Sequence, residues 1–97
     1  MSVPPLRWRS VPRAALAWRE WDGDFVVRND RSGSTHLLGP LAGSILLALT
    51  AMDGAGSVDD LAIALEAPVP IEPNWRDSIE GALSEFERLE LARPDAR

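Results

Sequence analysis

The side chains able to do chemistry in this 97-residue sequence are few, and their spacing does not bring them together. His36 is the only histidine, and there is neither a cysteine nor a lysine. A lone histidine acts as a general base only when positioned partners hold and receive its proton, and no nucleophile stands ready for it. With one His and no Cys, a metal would find only scattered carboxylates. Asp59 and Asp60 form a carboxylate pair, but they fall where acids favour the positive end of a starting helix, and that structural reading is the better one. Gly54-Ala55-Gly56 lacks the G-x-x-x-x-G-K-[ST] spacing of a phosphate loop. The residues therefore predict no covalent chemistry, no cofactor and no metal. Binding is what remains.

The four tryptophans, Trp8, Trp18, Trp21 and Trp75, are numerous for so short a chain. Trp is rarely fully buried, so some must lie at a surface. Trp18 and Trp75 are expected to brace a sheet against helices. Trp21 falls on the opposite face of its strand from Trp18 and is the better candidate for meeting a partner.

The elements that must position these residues can be read from hydrophobic period and turn chemistry. Ala15 to Trp21 alternates as a strand, and Asp22-Gly23 suits a two-residue type I′ turn, which needs positive φ at both central positions. Phe25 to Asn29 returns as a second strand. Asp30 to Gly33 forms the next turn, and Ser34 to Leu38 is the third strand. After Gly39 the period becomes helical. Pro40 takes a first helical position, Leu41 to Met52 is apolar nearly all round, and Gly54 is placed to cap the end.

Ser57 with Asp60 resembles a capping box for a second helix whose stripe is Val58, Leu61, Ala62 and Leu65. Ala67 to Pro73 holds three prolines and cannot be helical. Asn74 can then cap a third helix running to about Leu91, with Trp75, Ile79, Ala82, Leu83, Phe86 and Leu89 inward and Pro94 preventing extension. Residues 1–12 read as an extended arm, docked through Leu6, Trp8 and Val11. The expected fold is α+β and winged-helix-like, one domain over residues 1–97, with a three-stranded antiparallel sheet followed by three helices.

Charge then discriminates between binding functions. Residues 1–39 hold six arginines against four acids, whereas residues 40–97 hold four against eleven. In a winged-helix protein the third helix would read DNA, but here Trp75 to Leu91 carries Arg76 and Arg88 against five acids. Phosphate repels such a helix, since cations supply most duplex affinity. The Pro-rich connector is also longer than a DNA-reading turn. No segment approaches the roughly 20 apolar residues of a membrane span, and the N-terminus lacks a signal-peptide core, so a cytoplasmic location is expected. A meander's open edge, by contrast, is a template for an added strand, and a groove between it and an acidic helix suits an extended peptide with basic and apolar side chains.

The runs Trp18-Arg19-Glu20-Trp21-Asp22-Gly23-Asp24-Phe25-Val26-Val27, Ser32-Gly33-Ser34-Thr35-His36-Leu37-Leu38 and Pro40-Leu41-Ala42 resemble the PqqD-like peptide chaperones, in particular the HPr-rel-A system PqqD subgroup. Asp59-Asp60-Leu61-Ala62 and Glu85-Phe86-Glu87-Arg88-Leu89 fit the same pattern, and the likeness spans about Trp8 to Pro94. It implies a RiPP recognition element, which binds the leader of a ribosomally made precursor peptide and presents it to modifying enzymes. The neighbours it implies are an HPr-kinase-like protein and a nucleotidyltransferase-like protein. The leader would add to Ser34, Thr35, His36, Leu37 and Leu38, against the helix from Arg76 to Glu87. In that pose Glu80 and Glu87 would favour a basic peptide residue, and Ile79 and Leu83 would lend an apolar floor. A winged-helix DNA-binding regulator and a small adaptor subunit are the alternatives.

Overall fold

Turn chemistry sets the first half of the molecule. In the computed structural model, which describes residues 7–52, 55–68 and 70–95, Asp22 and Gly23 have φ of 56° and 84°. These are the positive angles of a type I′ turn, whose twist matches that of the strands it joins. After β1 (Arg7–Ser10) and a 3₁₀ turn (Arg13–Ala15), that hairpin connects β2 (Leu16–Trp21) to β3 (Asp24–Asn29). Gly33, at φ 77°, closes the next turn by donating its N–H to the Asn29 carbonyl at 2.7 Å. β4 (Ser34–Leu38) follows, and the antiparallel sheet has the order β2-β3-β4.

The helices are α1 (Pro40–Ala51), α2 (Val58–Ala64) and α3 (Pro73–Arg88). The expected three-stranded sheet and three helices are present. α1 starts with Pro40 at its first turn and ends at Ala51, while Gly54, expected as its cap, lies outside the described residues. α1 crosses β3 closely at Gly43, where any Cβ would overlap the Phe25 ring. The capping box at α2 is formed in both directions: the Ser57 hydroxyl accepts from the Asp60 N–H at 3.1 Å, and an Asp60 carboxylate oxygen accepts from the Ser57 N–H at 3.0 Å. Val27, Ile45, Leu46, Leu49, Leu61, Ile79, Leu83, Phe86 and Leu91 are fully buried and form the centre of the core.

Three expectations need correction. The N-terminal arm is more than an extended, docked segment over its described part: Arg7–Ser10 is the middle strand of a second sheet, ordered β5-β1-β6, with β5 (Gly56–Ser57) and β6 (Ala92–Asp95). Trp8, buried in the core, anchors it, whereas Leu6 lies outside the described residues. The third helix is entered through Glu72 as N-cap and Pro73 as first residue, so Asn74 already lies inside it. It also stops at Arg88 rather than Leu91.

The reason is a left-handed residue without glycine. Glu90 has φ 63°, and the Leu91 N–H reaches back to the Phe86 carbonyl at 2.8 Å. This is a Schellman end, with Leu91 and Phe86 making the apolar contact that accompanies it. α2 ends in the same way around Glu66, at φ 61°, with the Ala67 N–H on the Ala62 carbonyl at 2.9 Å. Pro94 belongs to β6, and its missing N–H is tolerated because β6 is an edge strand.

Candidate functional site

Among the described residues β4 pairs only with β3, which leaves one side of its backbone without a strand partner. Its side chains alternate as a half-covered strand requires. Ser34, His36 and Leu38 share the face turned toward the helices, with Leu38 buried and His36 half-buried. Thr35 and Leu37 share the outer face, and Leu37 is 70% exposed. The other free edge of the sheet, β2, differs in chemistry: it carries Arg19 and Glu20, while β4 carries no carboxylate and no Arg. Charged residues on an edge discourage strand addition.

Along the inner face the cross-strand row is Trp18, Val27 and His36. The Trp18 ring meets Phe25 edge-on, with centroids 6.1 Å apart, and Trp75 packs against the same core. Trp21 is 71% exposed, as its phase predicts. Among the described residues, Trp18 Nε1 and His36 Nε2 are buried without a hydrogen-bond partner.

On α3 the Glu85 carboxyl is held below the usual range first by its hydrogen bond to Arg88, against desolvation, which raises it, with lesser attraction from the Arg88 charge and least from His36. The Arg88 Nε donates to it at 3.1 Å, and the guanidinium is held above its ordinary value in return.

The helix residues expected to line the peptide groove fall into three settings. At about 100° per residue, Arg76, Glu80, Leu83 and Glu87 stand roughly 140–180° around α3 from Glu85. Arg76 is ion-paired to Asp59 of α2 at 2.5 Å. Arg76 and Glu80 line a crevice of about 400 Å³ together with Trp8 and Val58. Glu87 borders a different crevice, between the 3₁₀ turn and β6, where arginines surround it. Ile79 and Leu83 have no exposed surface, so they support the core and offer no floor to a ligand. Ser34 to Leu38 share one edge, while Arg76 and Glu80 border one crevice, Glu87 another, and Ile79 and Leu83 lie in the core.

The flank of α3 that carries Glu85 is Ser78, Ala82, Glu85 and Leu89, spaced by three and four residues. Its helical phase was readable, but nothing in the sequence says which flank the sheet approaches. Asn29 is the second residue that sequence reasoning missed. Buried at 2% exposure, it accepts the Arg31 N–H at 2.9 Å and donates to the Glu90 carbonyl at 3.2 Å, joining the β3–β4 turn to the end of α3.

Among the described residues there is no group of three or more His, Cys, Asp or Glu able to hold a metal ion. No helix among them is long and apolar enough to cross a membrane. No known protein family matches the chain, and neither does any curated protein or solved structure.

Proposed function

We propose that this protein is a cytoplasmic peptide-binding module that accepts an extended segment as an added strand on β4 and does no covalent chemistry itself. The observation that carries the reading is the contrast in how edges are guarded. β5 is two residues long and runs straight into α2, β6 contains Pro94, and β2 carries Arg19 and Glu20. β4 offers five residues with no proline, no Arg and no carboxylate. Main-chain bonds at such an edge supply affinity with little demand on sequence, and side chains beside it select. Leu37 on one face and His36 on the other are the side chains beside this edge that can select.

On the resemblance carried by residues 18–27 and 32–42, the segment is the leader of a ribosomally made precursor peptide, presented to a modifying enzyme such as a partner of the HPr-kinase-like class. DNA reading has less support, because both arginines of α3 are already engaged, Arg76 with Asp59 and Arg88 with Glu85. Ordering a flexible peptide offsets much of the gain, so Kd on the order of micromolar is expected.

The test is Leu37→Glu, which plants a charge on the edge at an exposed position. Binding of a candidate precursor peptide should weaken by roughly tenfold or more while the thermal midpoint stays put. Unchanged affinity would contradict the reading. So would a hydrolytic or transferase activity lost in His36→Ala.

A further inference from the structure

Four arginines from four separate segments converge on one crevice of about 630 Å³: Arg9 from β1, Arg13 from the 3₁₀ turn, Arg31 from the β3–β4 turn and Arg93 from β6. This concentration occurs in a chain whose net charge is −5. Arg9 is committed to Asp95 at 3.3 Å. Arg13, Arg31 and Arg93 have no carboxylate within ion-pair distance among the described residues, and all three are exposed. Guanidinium groups gathered around a cleft repel one another, and a bound anion relieves that repulsion. Arginine's planar fork also matches a carboxylate in two parallel hydrogen bonds.

Two features narrow the ligand. Glu87 and Glu90 border the same crevice and interrupt its positive field, which disfavours a continuous polyphosphate such as nucleic acid. Val11 and Met52 lie between the charges and give apolar contact. Spaced charges with apolar surface between them fit an extended chain whose carboxylates alternate with apolar side chains. We infer that this crevice is a second docking site, for an acidic peptide segment, separate from the β4 edge.

The probe is a short fluorescein-labelled synthetic peptide of alternating Glu and Leu, compared with the same peptide carrying Gln for Glu, and read by fluorescence anisotropy. The Glu peptide should bind and the Gln peptide should not. Replacing Arg31→Ala and Arg93→Ala together should weaken binding by roughly tenfold or more, since two charge-assisted contacts are lost. Arg19→Ala, an exposed arginine on the outer face of β2, should leave it unchanged, and so should Leu37→Glu, which blocks β4. If the double variant unfolds, Arg31→Gln alone, in an exposed turn, should still weaken binding severalfold. Equal binding of the Gln peptide would overturn the inference, as would equal losses in Arg19→Ala. Displacement of the peptide by inorganic phosphate or a short DNA duplex at lower concentration than by unlabelled Glu peptide would also overturn it and mark a phosphate site instead.

Discussion

The two sheets of this molecule are built on opposite principles. The β2-β3-β4 meander joins strands that are neighbours in sequence through two tight turns, and both of its outer edges are open. The β5-β1-β6 sheet gathers residues 7–10, 56–57 and 92–95, so it closes only when distant parts of the chain meet. Its edges are short or proline-bearing, and its middle strand carries Trp8 into the core. The small sheet ties residues 7–10 to 92–95, and the meander has unpaired strand edges. That difference in edge protection is what the proposed strand addition at β4 rests on.

Single substitutions test the difference between the two sheets. Phe86 is fully buried at the centre of the core, so Phe86→Ala should remove about 3–5 kcal/mol. A thermal shift of only a degree or two would place Phe86 outside the core. Trp8→Ala should cost about 3 kcal/mol and act unequally, because Trp8 pairs with Gly56 and Pro94 across the small sheet. Amide exchange in residues 92–95 should then accelerate well before exchange in β3. Equal acceleration would mean that the two sheets do not open separately.

Asn29→Ala should cost about 1–3 kcal/mol, because the Glu90 carbonyl and the Arg31 N–H both lose a partner. Its effect should be centred on the β3–β4 turn and the end of α3, as chemical shifts would report. The smallest effect runs in the opposite direction. Glu90 sits in left-handed backbone that costs a side chain about 1 kcal/mol, so Glu90→Gly should raise denaturant stability by about that amount. A loss of stability there would mean that the Glu90 side chain holds something the backbone argument misses.

The same contrast explains what could be read in the sequence. Asp22-Gly23 and Gly33 announced the meander because their turn chemistry is local, and the capping box at Ser57 announced α2 for the same reason. The small sheet left no such signal: Arg7–Ser10 is four residues long, its partners are remote, and Pro94 resembled a helix stop rather than an edge strand. The end of α3 was misplaced because Glu90 occupies a position where glycine is the usual marker. Within the site, the β4 edge was legible from its place after two hairpins. The helix side was not, because periodicity gives the phase of Arg76, Glu80 and Glu87 but not the direction from which the sheet approaches.

The most direct test uses the meander's two edges as each other's control. Hydrogen exchange of backbone amides is measured with and without a saturating candidate precursor peptide. Strand addition at β4 predicts slowed exchange within Ser34–Leu38, with Leu16–Trp21 unchanged. Protection appearing instead on Leu16–Trp21 or on α2, with Ser34–Leu38 unaffected, would contradict the account.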